Sequence, residues 1–230
     1  MSKRRELSEA DFLKDIAAHQ LTIVRDDGLY RHLRFRRPGT YCMGFDIHTW
    51  PGYLCYTGDM GTYVFQRIED MLEFFRDDRW RDGNDSLYIN PHYWSEKVQA
   101  AERHGGITEF CEEIFRERVL ERVNDHVKSM AEEYEAEEDI EKDPRVIELR
   151  EEIESQVLIR EFDGEHEARR AAYLYKHKAT GFNFQDFGEC DLTVYSHRFL
   201  WCCYALVWGI RQYDALKDGG TLNEPTAVSA

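Results

Sequence analysis

Residues 39–65, GTYCMGFDIHTWPGYLCYTGDMGTYVF, are the part of this chain that decides its fold. They contain five glycines and two aspartates among many aromatic residues, arranged as strand-like runs between tight turns. Apolar and polar positions alternate in these runs, as they do in a strand with one buried face. We therefore predict strands over 41–48, 53–57 and 62–66.

The sequence before this stretch extends the same sheet. A short amphipathic helix is predicted over 8–20. Strands are predicted over 21–25 and 29–36, and the dipeptide Asp27-Gly28 between them is typical of a β-hairpin turn. Together these signals predict four or five antiparallel strands joined by tight turns over 21–66.

After residue 66 the hydrophobic period changes from that of a strand to that of a helix. We predict helices over 68–75, 93–103, 107–137, 144–157, 165–178 and 193–217. Eight of the twelve residues from 132 to 143 are acidic. The helices on either side of this run should form a hairpin with an acidic tip, because such a run is most stable in solvent.

The predicted fold class is α+β. An N-terminal antiparallel β-meander packs on helices, and a long acidic helical hairpin protrudes. The predicted domain organisation has a mainly β part with flanking helices, a helical part and a frayed tail. Their bounds are 1–105, 106–220 with the hairpin at 107–160, and 221–230.

Charge is unevenly distributed along the chain. The formal net charge is −15, of which residues 1–66 carry +1 and residues 67–230 carry −16. The longest apolar run, over 199–210, is too short to cross a bilayer, and the basic N-terminus lacks the apolar segment of a secretion signal. We expect a cytoplasmic protein without a membrane partner.

The cysteine pattern does not indicate a metal site. Six cysteines are present, none in a C-x-x-C pair, whereas zinc sites usually bring paired ligands on short loops. We expect reduced thiols that act as small core residues, and neither a metal nor another cofactor.

Asp46 and His48 are candidate residues for catalysis or metal binding. They share parity on one predicted strand, so both side chains should point to the same face of the sheet. Asp59 and His32 could join them if neighbouring strands are in register. Such a group could hold a divalent metal or act as a general acid–base pair. The alternative is a solvated polar face without chemistry.

The strand around residues 31–37 is rich in arginine. Together with the nearby aromatic residues, it is typical of a basic sheet face that binds single-stranded nucleic acid. The alternative is that these arginines pair with the acidic helices of the same molecule.

The acidic run could bind a partner through Glu133, Glu137, Glu138 and Glu141. An acidic surface of this kind suits a partner protein with a basic surface. The alternative is a solvated hairpin tip without a partner. The sequence contains no Gly-rich phosphate loop and no G-x-S-x-G or H-E-x-x-H motif, which argues weakly against an enzyme.

Two segments carry a family resemblance. They are GLYRHLRFRRPGTYCMGFDIHTWPGYLCYTGDMGTYVFQRIEDMLEFFR at 28–76 and FLWCCYALVWGIRQYD at 199–214. They resemble the two ends of uncharacterised accessory proteins encoded by tailed phages and prophages of proteobacteria, with similarity over about 21–76 and 173–214. The resemblance implies an accessory protein made in the bacterial cytoplasm and assigns no catalytic residue.

We therefore expect a phage-encoded cytoplasmic binding protein. It would inhibit a host protein or defence complex with a basic surface, by analogy with other small acidic phage proteins. The alternative is a metal-dependent enzyme that acts on a nucleotide or nucleic acid through Asp46, His48 and Asp59. Nucleic acid is the less favoured partner.

Overall fold

The computed structural model describes four stretches of the chain, residues 7–102, 106–134, 140–159 and 161–219. Within them the chain forms two compact units. The first, which we call the sheet unit, comprises 1–108 and 195–230, and the second, the helical unit, comprises 109–194.

The sheet unit is built on one antiparallel meander, and this confirms the α+β prediction. Six strands lie in chain order, each paired with the next: β1 Gln20–Asp27, β2 Tyr30–Arg36, β3 Phe45–Trp50, β4 Tyr53–Gly58, β5 Gly61–Gln66 and β6 Val98–Ala101. Gly28, in the β1–β2 turn, has a φ of +57°, a conformation that glycine adopts without steric cost.

The third strand begins later than its predicted start at residue 41. The Gly44 N–H donates to the Tyr41 carbonyl, and Met43 has a φ of +54°, so residues 41–44 form a turn. Tyr41, an apolar position of the strand predicted over 41–48, is 83% exposed. The alternation in this part of the sequence therefore belongs to a turn, and the strand covers Phe45–Trp50.

The predicted helix over 93–103 is wrong in its second half. Asn90 caps a short helix, α3 Pro91–Ser95, and the chain then becomes β6. The Gln66 N–H donates to the Lys97 carbonyl, so this segment pairs with the edge of β5. An unpaired strand edge is a stronger constraint on a short segment than its helical period.

Helix α7 His197–Lys217 forms the core of the sheet unit. Its buried Trp201 ring lies 5.7 Å from the Phe45 ring and makes an edge contact. Helices α1 Glu9–Ile16 and α2 Met71–Phe75 add to this core. The predicted bounds placed this helix in the helical part, whereas it lies in the sheet unit. A helix that is apolar nearly all round must be buried, and the inner face of the sheet buries it.

The helical unit contains three main helices, α4 Glu112–Tyr134, α5 Pro144–Glu152 and α6 Glu165–Leu174. Asp143 caps α5 and Pro144 follows as its first residue, as is usual at a helix start. The α6 helix ends before the predicted residue 178. A π-helical turn, Ile153–Leu158, continues α5.

Strand pairing also corrects two predicted helix starts. The predicted helices at 107 and 193 begin instead at Glu112 and His197. The residues before them form β7 Thr108–Phe110 and β8 Thr193–Tyr195, which pair as a two-stranded sheet.

The arms of the predicted hairpin belong to a larger core. Buried residues of α4 such as Val123 cluster with Leu149 of α5, Ala168 of α6 and the aromatic Phe187. Residues 135–139 lie outside the described residues, as does the predicted frayed tail at 221–230. A protruding acidic hairpin therefore remains a prediction. Within the described residues, no helix combines the length and apolarity needed to span a membrane.

Gly209 sets the distance between α7 and the sheet. A Cβ atom at this position would lie 2.9 Å from the Phe35 ring and 3.1 Å from Ile47, both fully buried. We expect Gly209→Ala to lower the free energy of unfolding by about 1–3 kcal/mol despite its better helix propensity, because the core is overpacked. Gly188→Ala, which meets no atom within 4 Å, is the control. Chemical denaturation of both variants checks this, and a stabilised Gly209→Ala would contradict it.

Candidate functional site

The register of the sheet creates a polar group on its outer face, the face opposite α7. Leu33 and Ile47 point into the core, so the residues next to them in β2 and β3 point the other way. His32 is paired directly with His48, and Arg34 with Asp46. We call His32, Asp46 and His48 the outer-face cluster.

Short contacts hold the outer-face cluster together. The His32 Nε2 lies 3.1 Å from Asp46 Oδ2, and the rings of His32 and His48 stack with centroids 4.0 Å apart. The other carboxylate oxygen, Asp46 Oδ1, lies 3.4 Å from Arg34 Nε and 3.1 Å from Arg36 Nη2. Asp46 is only 8% exposed, so these partners replace its solvation.

His48 is the member of the cluster best suited to proton transfer. Burial lowers its pKa, and the neighbouring His32 and Arg34 lower it further, although Asp46 opposes them. A neutral imidazole near pH 7 can accept a proton as a general base. Cys55, paired with His48 across β3 and β4, is not an activated nucleophile, because burial raises the pKa of its thiol.

A cavity of about 720 Å³ opens beside the cluster. We call it the outer-face pocket; its lining comprises Val24, Arg25, Tyr30, Arg31, His32, His48, Thr49, Trp50 and Cys55. Trp50 stacks on Tyr53 with ring centroids 5.4 Å apart, and the Arg25 guanidinium lies 5.1 Å from the centre of the Tyr30 ring. Aromatic rings, arginine side chains and imidazole rings thus line the same cavity.

The structure brings together two of the three residues proposed for chemistry. Asp46 and His48 lie in the cluster with His32, but Asp59 lies in the β4–β5 turn, where its Oδ2 accepts a hydrogen bond from the Met43 N–H at 2.8 Å. Asp59 therefore has a structural partner within the turns at this end of the strands and is not part of the outer-face cluster. Trp50, which lines the pocket, was not among the predicted site residues, although its parity with His48 was readable from the sequence.

The arginines of β2 have partners within the sheet unit. Arg31 donates two hydrogen bonds of 2.9 Å to the carboxylate of Asp70, which also caps α2. Arg34 and Arg36 share Asp46. The three arginines therefore pair within the molecule, as the alternative interpretation held, but with Asp46 of the sheet and the capping Asp70 rather than with the acidic helices. Arg31 is the one most firmly fixed.

The structure describes two of the four predicted partner-binding acids. Glu133 is exposed, and Glu141 pairs with Arg150 at 2.7 Å. Glu137 and Glu138 lie outside the described residues. Most of the negative charge belongs to the helical unit. Residues 109–194 contain 25 acidic and 12 basic side chains, a net charge of −13, and the remainder of the chain carries −2.

Protonation of His48 should destabilise the fold. Its pKa in the folded state lies below the ordinary 6.5, so the unfolded chain binds the proton more readily. The stabilisation is complete above pH 6.5 and is lost as the pH falls towards the folded pKa. We expect His48→Gln to reduce the dependence of unfolding free energy on pH below 6.5. Exposed His166→Gln is the control, and equal slopes in all three proteins would contradict the prediction.

Comparison with protein families, with curated sequences and with solved structures gives no match for this chain. The outer-face cluster and the pocket beside it are therefore the observations from which a function can be argued.

Proposed function

We propose that the sheet unit binds a nucleotide unit, either free or within a single strand, in the outer-face pocket. The observation that carries this proposal is the convergence of Trp50, Arg25 and the two imidazoles on one cavity. A volume of about 720 Å³ lies within the usual range for small-ligand sites. Aromatic side chains there offer a surface on which a base can stack.

The arginines supply the complement to a phosphate group. Arg25 pairs with Asp27 at 3.0 Å, but the two side chains are 56% and 75% exposed. Such an exposed pair contributes only about 0–1 kcal/mol, so a phosphate can displace the carboxylate at little cost. Guanidinium groups also match phosphate oxygens with two parallel hydrogen bonds.

The remaining residues of the outer-face pocket determine how a bound nucleotide would be oriented. Arg31 shares the inward side of β2 with Leu33 and is held by Asp70, so the exposed Arg25 is the cation that a ligand at the pocket can reach. The imidazoles of His32 and His48 lie on the other side and can hydrogen-bond a sugar or a base edge. If the metal-free protein also turns the bound nucleotide over, His48 is the group that we assign as general base.

Removal of the stacking surface should weaken nucleotide binding. Base stacking on an aromatic side chain contributes about 1–3 kcal/mol, so we expect Trp50→Ala to lower affinity roughly 5- to 150-fold. Calorimetric titrations with mononucleotides and with short single-stranded oligonucleotides show whether the ligand is a free nucleotide or a nucleotide within a single strand.

The control for this experiment is Tyr173→Ala, which removes an aromatic side chain that is 77% exposed in the helical unit. Arg25→Gln should weaken binding of the phosphorylated ligand more than that of the matching nucleoside. If wild type binds neither ligand class, or if Trp50→Ala binds as wild type does, the proposal is wrong.

The charge of the helical unit supports a second candidate function. A net −13 within 109–194 suits docking on a basic protein, and we propose as such a partner a host protein or defence complex in the bacterial cytoplasm. In this role the protein would be a phage-encoded inhibitor, which combines the resemblance to accessory phage proteins with the analogy to small acidic phage inhibitors.

Neutralising the acidic run should slow association with that partner. We expect the fourfold Glu→Gln variant at 133, 137, 138 and 141 to bind more slowly and with a weaker salt dependence, because salt screens opposite-charge steering. The matched control changes four exposed acids of the sheet unit, Glu69, Glu73, Asp82 and Glu96, to amides. The measurement is the rate of association with a partner captured from host lysate on the wild-type protein, at two salt concentrations. Equal rates and equal salt slopes in both variants would show that the acidic run does not contribute to recognition.

A further inference from the structure

We propose that the outer-face cluster is a binding site for a divalent transition ion of the zinc type, with His32, Asp46 and His48 as its three protein ligands. One candidate ligand atom from each residue already lies within 4.8 Å of the other two. A search of the described residues for three or more His, Cys, Asp or Glu side chains this close together finds this group. The inference does not depend on nucleotide binding.

The backbone builds this site without loops. Asp46 and His48 are two residues apart in β3, so their side chains lie on the same face, and the register places His32 opposite His48. Sites on strands hold ligands more precisely than sites on loops. The strands are also central in the sheet, with β1 on one side and β4 on the other.

The two oxygens of Asp46 have separate roles. Oδ1 accepts from the guanidiniums of Arg34 and Arg36, whereas Oδ2 faces His32 Nε2 at 3.1 Å. An ion can therefore replace the proton between Nε2 and Oδ2 while the arginines stay on Oδ1. Carboxylate ligands in metal sites are usually oriented by such outer hydrogen bonds.

The distances require only a small adjustment. Ligand atoms of a tetrahedral zinc ion lie about 3.4 Å apart, given bonds of about 2.1 Å. The His32 and Asp46 atoms are close to that separation already. The His48 ring must turn out of its stack on His32, where the planes are 28° apart, so that its nitrogen also faces the ion. Both histidines are half-buried and line the outer-face pocket, so the ring can turn toward that space.

The donor set selects the class of ion. Two imidazoles and one carboxylate suit zinc and neighbouring first-row ions, whereas magnesium and calcium prefer oxygen ligands alone. Three protein ligands leave a fourth tetrahedral position open for water or for an oxygen of a bound ligand. Arg34 and Arg36 beside the ion would favour an anion at that position.

Zinc alone is the probe for the test, and the full chain is titrated in competition with a chromophoric chelator. We expect one equivalent to bind to wild type and to raise its melting temperature. His48→Gln, His32→Gln and Asp46→Asn should each weaken binding by at least about 100-fold, because each removes a direct ligand. Exposed His166→Gln should bind as wild type does. Circular dichroism establishes that each variant is folded before its affinity is compared.

Cobalt(II) distinguishes this site from adventitious binding by the free cysteines. We expect the absorption of a tetrahedral cobalt site without a thiolate charge-transfer band, and loss of that absorption in His48→Gln. A thiolate band that disappears in Cys55→Ser, or zinc affinity unchanged in both histidine variants, would overturn the assignment. Nucleotide titrations in excess EDTA keep the two proposals apart, because nucleotide binding can succeed there while the zinc titration fails.

Discussion

The packing of α7 on one face of the antiparallel sheet is the constraint on which the rest of the sheet unit depends. Because side chains alternate along a strand, burying Leu33, Phe35 and Ile47 against α7 fixes which residues face outward. A slip of one residue would turn Asp46 from its arginine partners into the apolar core and expose Phe45. The close approach of Gly209 to Phe35 permits this packing, so the geometry of the outer-face cluster is set from the opposite side of the sheet.

Features of the chain that depend on local pattern could be predicted from the sequence. The strands around Leu33, Leu54 and Phe65 were predicted close to their observed bounds, and the shared face of Asp46 and His48 followed from parity. Segments whose structure depends on a distant partner could not be predicted. Val98–Ala101 and Thr108–Phe110 are strands only because an edge is available to pair with them.

The same distinction explains the candidate site. Parity could place Asp46 and His48 together, but only the pairing of β2 with β3 places His32 opposite His48. Asp59 could be included or excluded only once the length of β4 was known, since it follows Gly58 at the end of that strand. Cross-strand register is long-range information, and periodicity in the sequence does not contain it.

Charge explains why the outer face suits both an anion and a metal ion. Arg34 and Arg36 share the single carboxylate of Asp46, which leaves an excess of positive charge when both histidines are neutral. That excess favours a phosphate at the pocket. It also opposes a bare cation, unless the cation carries an anionic ligand at its open position. The two proposed ligands would therefore reinforce each other, because each neutralises the charge that the other brings to the same face of the sheet.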